Sequence, residues 1–426
     1  MDDSRRAGIV YKIAPIVDLG LRTFNRIEVN GLENFTRSPS TLVVMNHRRD
    51  SDGPIIAGVL LLRRGLAVKG VMPYFVARED LFYKGFLKEY LETWPHMVRE
   101  LLSFIKIRSL LSALQACPMR RIRERTLQEV LKDVLNIYGD HPLAEVLKPN
   151  WVEQFNKLAP SSERGTLSLR KVLTNRYAPL LQQYYGLRKL TRSFFTAIKP
   201  YQKQIIELQL RHIVELLERG DTVLLTPEGK TSIDGCFDRF RAGLHILINR
   251  PRAELRVLPV GITYDFMTTE RMNVFLNIGR ELTDLKGLTR RDTDARVAKA
   301  IRARLTVTAS QLASRILLSF RSKGGSFMAA DLVERVGIEA QHCAEAGAHV
   351  DPRLLNNREL TKRMSQYLKY CLRSGMLVKN VNGTYSLHDG LKKPFVHCSI
   401  GVMDYINNEL ASHTHLWSGV AESLKA

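Results

Sequence analysis

The sequence predicts an α/β fold: a mixed sheet with helices on its faces, a helical insertion, and a mainly helical C-terminal region. Short apolar runs alternate with Gly, Pro and Asn turns over residues 1–95, which is typical of strands alternating with helices. Long helical periodicity dominates from about residue 100 to 215. Buried strands return within residues 221–266, which indicates that the α/β domain resumes after the insertion.

These changes of pattern divide the chain into four segments. We expect residues 1–109 and 205–320 to form the two parts of one α/β domain, with a basic helical insertion at 110–204 between them. Residues 321–426 are predicted to be mainly helical, with a hairpin that turns on Asn382-Gly383.

Composition restricts the class of protein. The 426 residues are 45% hydrophobic, enough for a large core, and 64 Lys and Arg against 43 Asp and Glu give a formal net charge of +21. That charge favours polyanionic partners such as nucleic acid, an anionic bilayer or phosphorylated substrates. The five cysteines are scattered without a C-x-x-C pair, which argues against a disulfide framework or a zinc site and favours a reducing compartment. No segment has the ~18 unbroken apolar residues of a spanning helix, so we expect membrane contact to be peripheral.

A dense group of polar residues, 46–52, separates two apolar runs. The strand before it ends ahead of His47, and the Gly-Pro pair that follows it suits the first turn of a helix with Asp52 as N-cap. His47 is therefore expected in a loop at the carboxyl end of a strand, where α/β proteins bind ligands. A bent loop would let Asp52 accept from His47, as a general base requires. Asp50 is a competing partner, and a surface histidine beside a simple helix cap is the alternative.

The spacing from His47 to Asp52 resembles the H-x4-D signature of the glycerolipid acyltransferases, the family that acylates glycerol-3-phosphate and lysophosphatidate. Further stretches follow in the family's order. They are FVAREDLFYKGFLKEYL (75–91), FIKIRS (104–109), LLTPEGKTS (224–232) and VLPVGITYDFMTTERM (257–272). The C-terminal half is closest to that of the glycerol-3-phosphate acyltransferases. The segments 1–109 and 205–320 are thus identified as the two parts of an acyltransferase domain.

The resemblance implies roles for the residues of these stretches. His47 would be the general base, and Asp52 would orient its ring. Glu228 would offer its carboxylate to glycerol hydroxyls, and Gly229 would let the backbone approach the phosphate closely. A solvated turn at the end of a strand is the alternative for Glu228.

Phosphate ligands are the other implied group. The family's usual arginine in the Pro-Glu-Gly stretch is absent, because Thr231 occupies its position. Lys230, one place earlier, would supply a point charge without the bidentate geometry of arginine. Arg108 and Arg239 are the further predicted ligands, with an exposed basic residue as the alternative for Arg108.

The implied reaction moves a fatty acyl group from acyl-CoA or acyl-carrier protein to a hydroxyl of glycerol-3-phosphate or lysophosphatidate. We expect direct transfer without a metal or cofactor, since no cysteine lies beside His47 in the sequence. Arg48 and Arg49 would also serve the acceptor's phosphate, or form a solvated or membrane-facing pair. The surplus positive charge is expected to hold the protein peripherally on the anionic cytoplasmic face of a membrane.

The alternative function is nucleic-acid binding. Two helices and a hairpin at residues 359–387 are compatible with a winged helix, and the net charge of +21 supports this class. Against it, the charge is spread along the chain, and the hairpin carries few basic residues for contact with phosphates. We therefore expect no nucleic-acid partner.

Overall fold

The computed structural model of the protein describes residues 19–20, 22–23, 25–35, 40–49, 52–62, 73–82, 108, 111–112, 114–321, 325–388, 398 and 400–414. The chain forms two compact units. The first consists of Met1–Val76, Ala113–Ala116 and Ile213–Ala426, and the second of Ala77–Ser112 and Cys117–His212. This division places the helical C-terminal region in the same unit as most of the sheet. The four segment boundaries predicted from the sequence stay predictions.

The described strands are, in chain order, β1 (Asn25–Asn30), β2 (Thr41–Met45), β3 (Tyr74–Arg78), β4 (Ala116–Met119), β5 (Thr222–Leu225), β6 (Arg256–Asp265), β7 (Met272–Ile278), β8 (Thr306–Val307), β9 (Ser326–Phe327), β10 (His349–Val350), β11 (Leu377–Lys379) and β12 (Tyr385–Leu387). The described α-helices are α1 (Asp52–Leu62), α2 (Leu127–Tyr138), α3 (Leu143–Val146), α4 (Pro149–Leu158), α5 (Leu169–Val172), α6 (Ala178–Leu181), α7 (Arg192–Glu218), α8 (Gly243–Asn249), α9 (Arg290–Arg302), α10 (Ala309–Arg321), α11 (Ala329–Glu345), α12 (Asn357–Arg373) and α13 (Val402–Thr414).

Strands β1 to β7 form one sheet in the order β1-β7-β6-β2-β5-β3-β4. Strands β6 and β7 are antiparallel, whereas β1 and β7, β2 and β6, β2 and β5, and β3 and β5 are parallel pairs. The predicted mixed α/β fold is confirmed.

The centre of the sheet is β2, and all five of its residues are buried. A strand with neighbours on both sides and cover on its faces is expected to be continuously apolar, as its sequence TLVVM largely is. Helix α1 supplies part of that cover, since Ile55, Ile56 and Val59 share a hydrophobic cluster with Val43 and Met45. The segment between β2 and α1 is therefore fixed at both of its ends by buried elements.

The C-terminal region of the first unit is mainly helical, as predicted. Helix α10 packs against α11, α12 and α13 around a common apolar cluster. The predicted hairpin is formed by β11 and β12, which are antiparallel, and β9 pairs with β12 as a third strand.

A buried ion pair ties this helical region to the end of β6. Arg363 of α12 donates from Nε and Nη2 to the two carboxylate oxygens of Asp265, at 2.7 Å each. Burial by itself would raise the pKa of Asp265, but Arg363 and the hydrogen bonds from Ser310 hold it below its usual value. The C-terminal helices are thus anchored at the carboxyl edge of the sheet.

The second unit contains helices α2 to α6 and the first part of α7. It is mainly helical, as predicted for the insertion. Helix α2 starts with a capping box, in which Thr126 accepts from Glu129 N–H at 3.3 Å and Glu129 accepts from Thr126 N–H at 2.7 Å. Asp133 is buried in this unit and accepts from Arg120 at 3.1 Å, from Gln202 at 2.7 Å and from Arg125. These donors offset the free-energy cost of burying the Asp133 carboxylate.

Candidate functional site

The candidate site lies at the carboxyl ends of β2 and β5. These strands are parallel neighbours, with Val44 opposite Leu225, so the loops that follow them leave the sheet at the same edge. One loop carries His47 and the other carries Glu228. Strand β6 is parallel to β2 on its other side and brings Tyr264 to the same edge.

His47 and Asp52 are paired in this structure. The Nδ1 atom of His47 lies 2.9 Å from Oδ2 of Asp52. The Asp52 side chain is fully buried, whereas that of His47 is 15% exposed. Because an ionised carboxylate can only accept, this contact requires a proton on Nδ1, and in the neutral imidazole Nε2 is then an acceptor.

Three further donors fix the Asp52 carboxylate. Its Oδ2 accepts the backbone N–H groups of Arg48 at 2.6 Å and Arg49 at 2.9 Å. Its Oδ1 accepts the hydroxyl of Tyr264 from the end of β6. Sequence reasoning missed Tyr264, because the two residues are 212 positions apart and only the pairing of β2 with β6 brings them together. Asp50 lies outside the described residues. The preference for Asp52 over Asp50 as the partner of His47 therefore stays a prediction from the sequence.

Glu228 joins the two loops. Its Oε1 accepts the backbone N–H of His47 at 2.9 Å, and its Oε2 accepts that of Asp238 at 2.8 Å. The residue is fully buried, and burial raises the pKa of its carboxyl, against the opposing charge of Arg48. These contacts indicate that Glu228 positions the backbone at His47. Its predicted contact with a substrate hydroxyl stays a prediction.

Replacing Glu228 by glutamine is expected to lower the free energy of unfolding by about 1–3 kcal/mol. An amide has one acceptor oxygen, so one of the two backbone N–H groups would face an NH2 group and lose its partner. Urea unfolding measures the change. The matched control is Glu270→Gln, an exposed glutamate of the same unit, which should stay within about 0.5 kcal/mol of wild type. Equal stability of Glu228→Gln and wild type would contradict the joining role.

Gly229 occupies a conformation that favours glycine. Its φ angle is +72°, and an added Cβ would lie 3.1 Å from Cγ of Arg241. Arg241 holds this turn from the other side, since its N–H donates to Pro227 O at 2.8 Å and its Nε to Glu228 O at 3.3 Å. The backbone conformation at this position therefore favours glycine, while the predicted close approach of the Gly229 backbone to a phosphate stays a prediction.

The predicted phosphate ligands are distributed over both units. Lys230 lies on the Glu228 loop, where its Nζ is 3.2 Å from Oδ2 of Asp238 and both side chains are about one-third exposed, at 35% and 37%. Arg239 is exposed on the same segment. Arg108 is an exposed residue of the second unit. Their roles as ligands stay predictions.

Arg48 and Arg49 have different surroundings. Arg48 is 3% exposed, and its Nη1 donates to the carbonyls of Gly235 at 3.0 Å and Cys236 at 3.3 Å. The guanidinium of Arg49 lies 4.7 Å from the ring centre of Tyr264. The expectation of a solvated or phosphate-binding pair does not hold for Arg48, whose charge is turned into the protein.

The family comparison agrees with this site. Residues 26–143 match the family model described as Acyltransferase, and both His47 and Asp52 lie within them. This stretch of the chain is similar to that family, as the resemblance found in the sequence predicted. The Glu228 loop lies beyond the matched residues.

A comparison with solved structures found the 1-acyl-sn-glycerophosphate (LPA) acyltransferase PlsC from Thermotoga maritima. Its chain is 16% identical to this one, and the superposition covers 71% of this chain and 81% of that chain with a TM-score of 0.36. No curated protein matched the sequence significantly.

Two kinds of feature are absent from the described residues, a membrane-spanning helix and a cluster of metal ligands. None of the described helices has both the length and the apolar character needed to cross a membrane. In the same part of the chain, no group of three or more His, Cys, Asp and Glu side chains is arranged to hold a metal ion.

Proposed function

We propose that the protein is a glycerolipid acyltransferase. It would move a fatty acyl group from acyl-CoA or acyl-carrier protein to a hydroxyl of glycerol-3-phosphate or lysophosphatidate. The observation that carries this proposal is the 2.9 Å contact between His47 Nδ1 and a buried Asp52 within the acyltransferase-like residues. A hydroxyl becomes an effective nucleophile when such a base takes its proton.

His47 acts in this proposal as the general base through Nε2. The acceptor hydroxyl attacks the thioester carbonyl, its proton passes to Nε2, and the carbonyl electron pair moves onto the oxygen. Collapse of the tetrahedral intermediate breaks the C–S bond, and the departing thiolate takes the proton from the imidazolium. Asp52 stabilises the imidazolium between these steps and keeps the ring in place.

The oxyanion of the tetrahedral intermediate needs hydrogen-bond donors, and the backbone N–H groups of the two residues after His47 are already used. The N–H groups of Arg48 and Arg49 already donate to Asp52. Of the first residues of α1, Asp52 donates its N–H to Arg49 O at 3.0 Å and Pro54 has no N–H, so we assign the oxyanion to the N–H of Gly53, where the helix dipole also favours negative charge.

Lys230→Ala is expected to raise the acceptor's KM by about 10- to 100-fold, since a hydrogen bond to a charged group contributes about 1.5–3 kcal/mol. The KM of the thioester should change less, because the contact is with the acceptor's phosphate alone. Steady-state kinetics with each substrate varied in turn measures both. Lys379→Ala, at an exposed lysine of β11, is the control.

Arg108→Ala and Arg239→Ala, alone and combined with Lys230→Ala, show whether these arginines share the phosphate. An unchanged acceptor KM in Lys230→Ala together with a raised one in Arg239→Ala would move the phosphate site to Arg239.

The net charge of +21 supports peripheral attachment to an anionic membrane on its cytoplasmic face. Each Lys or Arg near such a surface contributes about 1 kcal/mol, so several together can hold the protein where a lipid product leaves. Salt should weaken this attachment.

A radiolabelled acyl donor supplied with glycerol-3-phosphate or with lysophosphatidate tests the proposed function. Label in an extractable lipid with one acceptor and not the other identifies the acceptor, and acyl-CoA against acyl-carrier protein identifies the donor. Co-sedimentation with anionic vesicles is run beside a DNA gel shift. Tight DNA binding without vesicle binding or transfer would favour the nucleic-acid alternative.

A further inference from the structure

Helix α13 packs directly on the loop that follows Glu228. Asn408 donates from Nδ2 to Asp234 O at 2.8 Å, and Ser412 accepts the N–H of Phe237 at 3.3 Å. Gly235 shows how closely the two approach, because an added Cβ there would lie 2.0 Å from Tyr405 O. The last described helix of the chain therefore packs against one of the two loops that form the candidate site.

A buried ion pair connects the same helix to the His47 loop. Glu409 Oε1 lies 3.5 Å from Nε of Arg48, and the two side chains are 6% and 3% exposed. Burial raises the pKa of Glu409, and the charges of Arg48 and Arg49 oppose that shift. Each member of this pair is the main opposite charge near the other, and Gln311 adds a hydrogen bond to Glu409.

Arg48 links this ion pair to the His47–Asp52 contact. Its backbone N–H donates to Asp52 at 2.6 Å, while its side chain donates to Gly235 O at 3.0 Å and faces Glu409. Its side-chain contacts and its backbone contact with Asp52 therefore belong to one residue directly after His47. The side chain of Arg48 thus connects α13 with the residue whose backbone N–H donates to Asp52.

We propose that Glu409 is a positioning residue for acyl transfer. From helix α13 it fixes Arg48 and so keeps the His47 ring in contact with Asp52. The inference rests on the proposed function for its catalytic consequence. It also gives the C-terminal region, which lies outside the matched residues 26–143, a defined role in the site.

The test compares Glu409→Gln, Arg48→Gln and the double variant. Glu409→Gln keeps the size of the side chain and removes its charge, so we expect kcat to fall by about 10- to 100-fold through misplacement of His47. The KM values of both substrates should stay within about twofold. If Glu409 acts through Arg48, the double variant loses no more than Arg48→Gln alone. Additive losses would overturn the proposal.

A second readout reports the His47 ring directly. Long-range 1H–15N spectra of 15N-histidine-labelled protein distinguish the Nδ1–H from the Nε2–H tautomer, and the signal missing from His47→Ala assigns His47. The wild type should show Nδ1–H, and Glu409→Gln should add the Nε2–H form. Glu339→Gln is the matched control, since Glu339 is a half-buried glutamate of α11 whose pKa burial also raises. An unchanged tautomer and kcat in folded Glu409→Gln would overturn the proposal.

If Glu409→Gln does not fold, the double variant Arg48→Met/Glu409→Leu replaces it in the test, because this variant removes both buried charges together. This pair should fold and still show the lower kcat and the mixed tautomer, and wild-type values in it would overturn the proposal. If the wild-type protein transfers no acyl group to any acceptor, the proposed function fails. The tautomer comparison then decides by itself whether Glu409 positions His47.

Discussion

His47→Ala is expected to lower kcat/KM for acyl transfer by about 10²- to 10⁴-fold, the usual contribution of a general base. The acceptor hydroxyl would have no base within reach, while Asp52 would keep its donors from Arg48, Arg49 and Tyr264. The protein should therefore stay folded. Transfer of a radiolabelled acyl group measures the rate, and circular dichroism with thermal denaturation measures the fold.

The control for this variant is a histidine that also contacts a carboxylate. His141 lies 3.2 Å from Glu145 with its side chain 35% exposed, and it belongs to the second unit. His141→Ala should keep wild-type turnover. Wild-type turnover in folded His47→Ala would remove the proposed mechanism altogether.

Much of the local structure around His47 could be predicted from the sequence because it depends on neighbouring residues. A strand is expected to end ahead of His47 and is found at Thr41–Met45, and the helix expected at the Gly-Pro pair begins at Asp52. The meeting of the His47 and Glu228 loops also follows from a general rule, since parallel strands end at the same edge of a sheet. The register of Val44 with Leu225 supplies that geometry.

Contacts between distant parts of the chain could not be predicted. Tyr264 and Glu409 carry no local signal, because each becomes part of the site only through packing of another element against β2 or its loop. Arg48 was misjudged for the same reason. A pair of adjacent arginines in a polar stretch favours a solvated face, whereas Arg48 is buried against Glu409 and the carbonyls of Gly235 and Cys236.

Helix α7 shows the limit of local rules. The sequence predicts long helical periodicity up to about residue 215, but a proline favours a break, whereas the helix runs from Arg192 to Glu218 and contains Pro200. A proline in a helix removes one hydrogen bond, so its presence there must be offset by other contacts. Buried Ile198 and the bond from Gln202 to Asp133 supply such contacts on either side of Pro200.

Asp52→Asn is expected to lower kcat by about 10²-fold or more, with Asp50→Asn much closer to wild type. An asparagine can present its NH2 group to His47, which would favour the opposite imidazole tautomer and put a hydrogen on the nitrogen that should take the proton. Asp52 also accepts from Arg48, Arg49 and Tyr264, so its replacement leaves donors facing an amide. Steady-state kinetics with thermal denaturation separates loss of catalysis from loss of fold. The reverse order of effects would make Asp50 the partner of His47 and shift the motif by two residues.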